Sequence, residues 1–419
     1  MPRRRTVLSL ALASSTAALV AGCSVLPGRT ADRRKVTVWL MKDSASDAFI
    51  KKFSDAFGKE HDDIELDIQI QEWVGIGEKV MNVLGANDGN SPDVIEVGNT
   101  QVAQYVDQGG LMELTLESAR DLGMDDWVPG LAEPGRFNNR QYGIPWYAAN
   151  RVVIYNKEIW ADAGLKKTPR TRAEWLSMTQ TLNSDNKQGI YLAGQDWYTF
   201  SGFVWDEGGE LASDRSGGWE GTLHSAEAMR AMEFYAELQG LGKGPKNADE
   251  EHPPQADEFA KGNIAQIVAV PGAARAIEKA NPAIVDKLGY FAIPGKLASR
   301  RAAVFTGGSV LVVPDSTPDR RSALAVIKAL AGEEWQTELA RTMDYVPNKT
   351  TLARVVAGEP GVAAMAEGAA RGRATPNSPD WANVEADNPI KEYMSAVLNG
   401  RDMETEARKA SERITRALT

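Results

Sequence analysis

The residues with the most legible chemistry in this chain are its eleven tryptophans, several of which stand beside acidic or amide side chains. The densest group lies between residues 195 and 219, where Asp196 precedes Trp197 and where Trp205 and Trp219 follow. A flat aromatic ring can cover the apolar face of a sugar, while Asp, Asn and Gln side chains bind the hydroxyls around its rim. These residue types therefore indicate sugar binding.

A second aromatic pair, Trp146 and Tyr147, comes just before a β-branched run at residues 151–155. Asn156 follows as a candidate helix cap. The chain passes here from one strand–helix region to another, so we interpret residues 142–160 as a crossing between two lobes, with the aromatic rings facing the gap. Packing in a core is the alternative, and position in the sequence does not decide between the two.

The elements that must position these residues alternate between strand and helix. Strands are predicted at 35–40, 64–71 and 93–97, with helical spacing of apolar residues between them. This order predicts a parallel or mixed sheet covered by helices. Because ligands of such sheets bind outside the carboxyl ends of strands, the loops at 41–44 and 98–101 are candidate ligand contacts.

Paired glycines mark a second crossing. Gly307 and Gly308 interrupt an apolar strand pattern at 304–313, which predicts a bend or a close backbone approach. Residues 322–343 then predict one helix carrying Trp335, and the tail from residue 351 is mostly helical.

The net charge of −10 excludes two classes of partner. Nucleic-acid binding and polybasic membrane association both need basic surfaces, so neither is expected. If the start of the chain leaves with its three arginines and no acidic residue, the mature chain is three charges more negative.

The start of the chain is typical of a cleaved leader. Three arginines at 3–5 precede an apolar segment at 7–20 that is too short to span a bilayer. The segment ends in Val-Ala-Gly-Cys, which resembles a bacterial lipobox, and Cys23 is the only cysteine of the chain. The Arg-Arg-Thr-Val-Leu at its start weakly resembles a twin-arginine signal, so both the Sec and the twin-arginine export routes stay open.

We therefore predict a signal peptide over 1–22, lipid attachment at Cys23 and a tether over 23–34. The mature protein would be held at the outer face of the cell membrane.

Several catalytic and cofactor signatures are missing. The sequence contains no phosphate-loop motif, no Gly-x-Gly-x-x-Gly after a strand and no Gly-x-Ser-x-Gly elbow. His61, His224 and His252 are scattered on polar segments, so no metal site and no cofactor are expected. Carboxylate pairs are present, but sequence does not show two carboxylates placed across a glycosidic bond.

A series of segments along the mature chain resembles one family. They are VTVWL, SPDVIEVGNTQVAQYVDQGGLMEL, YGIPWYAANRVVIYNKEIWADAGL, FAKGNIAQIVAVPGAARAI, GGSVLVVPDSTP, YVPNKTT and GRATPNSPDWANVE. In this order, behind a lipobox, they resemble the carbohydrate-type extracellular solute-binding proteins of bacterial ABC importers, the maltose-binding-protein-like group.

The resemblance implies an α/β, two-lobed periplasmic-binding-protein-like fold. Each lobe would be a mostly parallel sheet flanked by helices, with the ligand in the cleft between them. Lobe one would comprise 35–148 plus 308–347, and lobe two 149–307 plus 348–419.

The resemblance also implies ligand-binding residues, carried over position by position. The set is Met41, Asp43, Ser44, Trp73, Asn99, Thr100, Gln101, Trp146, Tyr147, Asp196, Trp197, Trp205, Gly308 and Trp381. Asp196 and Trp197 fall in an aromatic loop of lobe two, and both packing and ligand contact stay open for Trp73 and Trp381. The family often has a tryptophan after the glycine of a strand exit, where this chain has Gly272-Ala273-Ala274, so the ligand contact there is either lost or supplied by Trp205 or Trp219. Trp39, Trp160, Trp175 and Trp335 are expected to pack in cores or on helix faces.

The sequence thus predicts a monomeric, lipid-anchored protein that captures an oligosaccharide and hands it to an ABC permease. The expected ligand is a β-linked disaccharide such as a chitin or cellulose fragment. Two alternatives are a lipid-anchored glycoside hydrolase or lyase, and the same fold binding glycerol-phosphate or a polyamine.

Overall fold

The computed structural model describes residues 33–86, 91–184, 186–216 and 218–419. Cys23, the signal peptide and nearly all of the proposed tether lie outside the described residues.

Strands and helices alternate through much of the described chain. The strands are β1 (Arg34–Met41), β2 (Ile64–Gln71), β3 (Val94–Gly98), β4 (Arg136–Phe137), β5 (Arg140–Gln141), β6 (Ile144–Asn150), β7 (Val152–Asn156), β8 (Ala212–Arg215), β9 (Gly218–Gly221), β10 (Gln266–Ala269), β11 (Leu288–Phe291), β12 (Val304–Val312), β13 (Val346–Pro347) and β14 (Gly372–Arg373). The first nine α-helices are α1 (Asp47–Glu60), α2 (Ile76–Gly85), α3 (Val102–Asp107), α4 (Thr115–Asp121), α5 (Pro129–Ala132), α6 (Lys157–Asp162), α7 (Arg172–Leu182), α8 (Trp197–Glu207) and α9 (Ala226–Gly240). The remaining α-helices are α10 (Gln255–Ala260), α11 (Ala273–Ala280), α12 (Arg320–Leu330), α13 (Glu333–Met343), α14 (Pro360–Ala369), α15 (Trp381–Asp387), α16 (Pro389–Leu398) and α17 (Met403–Ala417).

A large, seven-stranded sheet draws its strands from both halves of the chain. Its order is β13-β6-β12-β3-β1-β2, with β14 beside β12. β1 runs parallel to β2 and β3, as the alternating pattern of the first strands predicts. β12 runs antiparallel to both β3 and β6, so the sheet is mixed.

A second, three-stranded sheet has the order β10-β7-β11, and β7 is antiparallel to both neighbours. The expectation of a mostly parallel sheet in each lobe is therefore wrong for this sheet. The two-lobed α/β fold itself is confirmed by the solved structures compared below.

The two sheets are joined where the crossing is predicted. β6 belongs to the large sheet and β7 to the small one, and Arg151 alone separates them. In β12, Gly308 has φ +141°, and a Cβ there would lie 2.2 Å from the carbonyl oxygen of Tyr147. Only glycine fits this close approach. The exact lobe boundaries stay a prediction.

Helix α1 shows how the sequence builds the layer on the large sheet. Ser46 caps the helix by accepting a hydrogen bond from the backbone N–H of Phe49. Phe49, Phe53 and Phe57 repeat every four residues, so they share one buried face. The rings of Phe49 and Phe53 meet the edge of Trp335 at 5.7 and 5.0 Å.

Buried apolar residues form a large-sheet core, a small-sheet core and a cluster drawing on both sheets. Trp39, Trp160, Trp175 and Trp335 are all at most 8% exposed within these clusters, which confirms that they pack. The predicted helix over 322–343 is instead two, α12 and α13, separated by Ala331 and Gly332. Within the described residues, no helix combines the length and the apolar character needed to cross a membrane.

Candidate ligand-binding site

A cavity of about 330 Å³ lies between loops carried by the two sheets. One side comes from the loop after β1 and the segment before β13, and the other from the segment after β10. Its lining residues are Asp43, Ala149, Val270, Gly272, Arg275, Met343, Asp344, Tyr345 and Met365. The volume falls at the lower end of the range of small-molecule sites, about 300–1,000 Å³.

A stacked tyrosine pair lies at one side of this cavity: Tyr345 lines it, and Tyr147 is buried in the large-sheet core against Tyr345. The rings of Tyr147 and Tyr345 are 4.0 Å apart and nearly parallel, with an interplanar angle of 8°. The hydroxyl of Tyr345 donates to the carbonyl oxygen of Asp43 at 3.1 Å. Asp43 has φ +65°, a left-handed conformation that Asp tolerates better than most residues. The predicted residues Asp43 and Tyr147 are thus brought together through Tyr345.

The fully buried carboxylate of Glu96 binds both the loop after β1 and Tyr147. Glu96 accepts hydrogen bonds from the backbone N–H of Met41 at 2.7 Å and from the hydroxyl of Ser44 at 2.7 Å. It also accepts from the hydroxyl of Tyr147 at 3.2 Å. Burial raises the pKa of Glu96 to about 7, against the lowering effect of these donors. Glu96 therefore positions the loop after β1 and the tyrosine pair together.

Polar contacts also cross the cleft. Arg275, from the segment after β10, donates to the carbonyl oxygen of Thr342 at 2.6 Å and to a carboxylate oxygen of Asp344 at 2.9 Å. The hydroxyl of Thr100 donates to Glu385 of α15 at 3.3 Å. These contacts place the two sides of the cleft within hydrogen-bonding distance of each other.

Glu385 of α15, which accepts this hydrogen bond from Thr100, is a half-buried carboxylate. It accepts a second hydrogen bond from the indole N–H of Trp381 at 2.9 Å. Burial raises the pKa of Glu385 to about 7.

Asn99 and Gln101, the remaining residues predicted from the loop after β3, do not line the cavity of about 330 Å³. Asn99 is buried and donates to the carbonyl oxygen of Thr306 in β12 at 3.0 Å. The amide oxygen of Gln101 accepts from the hydroxyl of Tyr105 at 3.0 Å. Trp73 is 42% exposed and lies against Gly98, so its ring is accessible beside this loop.

Four of the predicted tryptophans are not accessible. Their burial favours the packing alternative for Trp146 and Trp381, and it gives no support to the prediction that Trp197 and Trp205 contact a ligand. Trp146 is 0% exposed in the large-sheet core. Trp197, Trp205 and Trp381 are 3%, 3% and 0% exposed in the small-sheet core. The physical reason is their large apolar area, which is best buried against other rings, as for Trp197 beside Tyr198 at 4.2 Å.

Three further predicted residues are buried for structural reasons. Met41 and Ser44 are 1% exposed and serve as donors to Glu96. Asp196 stands in the loop just before α8, caps this helix by accepting from the backbone N–H of Thr199, and pairs with Arg151 at 3.3 Å. Whether any predicted residue contacts a ligand stays a prediction.

Sequence reasoning missed Tyr345, Arg275 and Glu96. Tyr345 belongs to the YVPNKTT segment, so a signal existed, but the search for sugar platforms favoured tryptophans. Glu96 lies inside an apolar strand pattern, and a charged residue in such a run is the signal that could have found it.

A larger cavity, about 630 Å³, lies elsewhere. It is lined by residues of the segments 168–170, 290–302 and 360–368. It includes no residue of β1, β2 or β3 or of the loops that follow them, so it does not join the two sides of the cleft. In the described part of the chain, no group of His, Cys, Asp and Glu side chains is arranged to hold a metal ion.

Comparison with known proteins agrees with this architecture. The sequence pattern of the family described as bacterial extracellular solute-binding proteins matches residues 42–337. The diacetylchitobiose binding protein DasA of Streptomyces coelicolor is 37% identical over 368 residues, which cover 87% of this chain and 85% of DasA.

Solved structures share the fold at lower identity. The sugar-binding protein MalE of Xanthomonas citri superposes with a TM-score of 0.82 at 20% identity, over 92% of this chain and 97% of MalE. A cyclo/maltodextrin-binding protein complexed with maltotetraose gives a TM-score of 0.78 at 18% identity, over 92% and 97% of the two chains.

Proposed function

Because the chain belongs to the bacterial extracellular solute-binding proteins, we propose that it captures an oligosaccharide between its two lobes and delivers it to an ABC permease. The observation that carries this proposal is the cavity between the two sheets, which takes its walls from both. A ligand there would contact both sides at once, so closure around it would be favoured by its differential affinity for the closed form.

The preferred ligand in this proposal is a β-linked disaccharide of the chitin type, such as diacetylchitobiose. The relative that binds diacetylchitobiose supports this choice, because its similarity extends over most of both chains. Tyr345, which stacks on the buried Tyr147, offers an aromatic surface to a sugar ring, and Asp43 and Asp344 offer acceptors to its hydroxyls.

The geometry favours a neutral sugar over a phosphorylated cargo. A phosphate would need basic side chains free to pair with it. The guanidinium of Arg275 in this cavity already donates to Asp344 and to a backbone carbonyl. The relatives of the chain are binding proteins, and we extend this to propose that the chain is not an enzyme.

Calorimetric titration with a ligand panel tests the proposal. Diacetylchitobiose should bind more tightly than cellobiose, maltose, glycerophosphocholine and spermidine. Chromatography of the sugars after incubation should recover them uncleaved. Binding of glycerophosphocholine but of no sugar, or release of monosaccharides, would replace this proposal with one of the alternatives.

We further propose that the mature protein is a monomer attached to the membrane through lipid on Cys23. Replacing Cys23 with Ala should release the protein into the medium or leave an unprocessed precursor. A Cys23→Ala protein that is correctly processed and still sediments with membranes would contradict the anchor.

A further inference from the structure

The cavity of about 630 Å³ meets a second one, of about 400 Å³, beside the small sheet. Thr168 lines both cavities. Phe291 of β11 lines the larger one, and Tyr155 of β7 lines the smaller one. Neither shares a lining residue with the inter-lobe cavity, so a ligand held here would occupy a site apart from the proposed sugar site.

These two cavities are basic although the whole chain is acidic. Within the part of the chain that the structure describes, one carboxylate lines them, that of Glu367. The basic side chains that line them are Lys157, Lys166, Lys167, Arg170, Arg300 and Arg301. Arg301 pairs with Glu367, and among the described residues no carboxylate oxygen comes within 4.0 Å of the charged nitrogens of the other five. Uncompensated basic groups in a concave surface attract anions from solution.

The loop between α6 and α7, which carries Lys166, Lys167 and Arg170, is held by its own hydrogen bonds. The indole N–H of Trp160 donates to the carbonyl oxygen of Lys167 at 3.4 Å. The backbone N–H of Arg170 donates to the carboxylate of Glu174 at 2.7 Å. The side chains of this loop therefore extend from an ordered backbone.

The segment between β11 and β12, which carries Arg300 and Arg301, is held in the same way. The backbone N–H of Arg172 donates to the carbonyl oxygen of Gly295 at 2.9 Å, which ties this segment to the start of α7. The guanidinium of Arg371 donates to the carbonyl oxygen of Arg301. A ligand that bridges the two segments would have little backbone motion to restrict, which lowers the entropic cost of binding.

We propose that the two basic cavities together bind an anion that carries several phosphate groups. An arginine binds phosphate through two parallel N–H donors, and a lysine adds a point charge. Lys167 and Arg170 are three residues apart, so their backbones lie within about 11 Å of each other, and one ligand can extend from the smaller cavity into the larger. This two-part concave shape favours a chain of phosphates over the one phosphate of a lipid headgroup. The inference goes beyond the proposed function and does not depend on it.

Calorimetric titration with tripolyphosphate, at about 0.05 M salt where charge screening is weak, tests this site. Glycerophosphoglycerol, the headgroup of phosphatidylglycerol with its one phosphate, is the comparison ligand. The wild-type protein should bind tripolyphosphate about tenfold more tightly, because three phosphates reach more of the basic side chains.

The double variant Arg170→Gln, Arg300→Gln should weaken tripolyphosphate binding about tenfold, since each arginine can donate two hydrogen bonds to phosphate. Both side chains are exposed, so the melting temperature should stay unchanged. The affinity for diacetylchitobiose should also stay unchanged, because neither residue lines the inter-lobe cavity.

The matched control is the double variant Arg136→Gln, Arg321→Gln. It removes the same charge at two exposed arginines that line neither basic cavity. Its affinity for tripolyphosphate should stay within about twofold of the wild type.

Equal weakening in the two double variants would mean that tripolyphosphate responds to net charge alone, and it would overturn the site. Failure of the wild type to bind tripolyphosphate would overturn it as well. Equal affinity for the two ligands would assign the cavities to a lipid headgroup and overturn the phosphate chain. Each of these results leaves the proposed function standing, because sugar binding is titrated separately.

Discussion

The aromatic cluster of α8 and the tyrosine pair beside the inter-lobe cavity differ in what surrounds their rings. In α8, Trp197, Phe203 and Trp205 are at most 3% exposed and pack against other rings, as when Phe203 meets Phe234 edge-on at 4.8 Å. Beside the cavity, the half-buried Tyr345 stacks on Tyr147.

The hydrogen bonds of the Tyr147 hydroxyl explain why the surroundings of the tyrosine pair differ from those of the α8 rings. The hydroxyl of Tyr147 meets those of Ser44 and Ser309 and the carboxylate of Glu96, all within 3.2 Å. Tyr147 is itself buried in the large-sheet core, so it backs the half-buried Tyr345, whose ring can then present a fixed surface to a ligand at little further entropic cost. Tryptophans with large apolar area and a single donor are stabilised mainly by enclosure. In α8 the abundance of tryptophan therefore marks packing, and we predict that the ligand surface lies at Tyr345, where polar groups support the aromatic pair.

The largest expected effect tests this contrast at Trp146. Trp146→Ala should lower the free energy of unfolding by about 3–5 kcal/mol, because it opens a cavity in the large-sheet core. Urea unfolding of the unliganded protein measures this loss.

The matched variant is Trp73→Ala, at a tryptophan that is 42% exposed. It should change stability by less than about 0.5 kcal/mol and weaken sugar binding about tenfold. The contrast fails if Trp146→Ala keeps full stability but loses sugar affinity, since the ring would then face the ligand.

The second effect concerns the polar support itself. Glu96→Gln replaces one acceptor oxygen with a donor that faces the donors from Met41, Ser44 and Tyr147, so at least one buried group loses its partner. Stability should fall by about 1–3 kcal/mol and sugar affinity by about tenfold. The control is Glu72→Gln, which removes an exposed carboxylate that pairs with Lys42 at the surface. It should change neither the stability nor the sugar affinity. Unchanged affinity in a destabilised Glu96→Gln protein would make Glu96 a packing residue only.

Sequence reasoning located the framework better than the site. Strand β2 matches its predicted span of 64–71, and the crossing falls where a β-branched run follows an aromatic pair. Both depend on local periodicity, which a sequence displays directly.

Local periodicity does not show what surrounds each side chain in the folded protein. Trp146 and Tyr147 both lie in the large-sheet core, 0% and 6% exposed, and the sequence did not show that both rings would be enclosed or that the hydroxyl of Tyr147 would meet Glu96. Tyr345 reaches Asp43 across 302 positions of the chain, a contact that only the assembled sheet order creates.

The third effect follows from the raised pKa values of the two carboxyl groups. An unfolded Glu has a pKa of 4.5, whereas burial raises the pKa of Glu96 and of Glu385 to about 7. Between these values the folded protein binds more protons than the unfolded chain. Their contribution to stability is therefore complete below pH 4.5 and is lost as the pH rises through 7.

Thermal unfolding between pH 5 and 8 should show this decline, on the order of 1 kcal/mol for each group. Glu385→Gln should remove part of the slope. A slope identical to that of the wild type would mean that Glu385 does not titrate in this range.

The smallest effect concerns the contact between Arg275 and Asp344, which joins the two sides of the cavity. Their side chains are 51% and 30% exposed, so solvent screens the pair and the coupling energy should be below about 1 kcal/mol. A double-mutant cycle with Arg275→Met and Asp344→Asn, with sugar affinity as the readout, measures this coupling energy. Asn is chosen because residue 344 has φ +59°, which Asn adopts more readily than Ala.

Because the pair forms only when the two sides meet, its coupling should appear in ligand affinity and should weaken between 0.05 and 0.5 M salt, where screening becomes strong. Lys51 and Asp55 form a pair within α1 that stays on one side of the cleft, and the same cycle there should give no coupling in sugar affinity. Strictly additive effects at Arg275 and Asp344 would show that this pair does not contribute to closure, and the tyrosine pair and Glu96 would then be left as the supports of the binding surface.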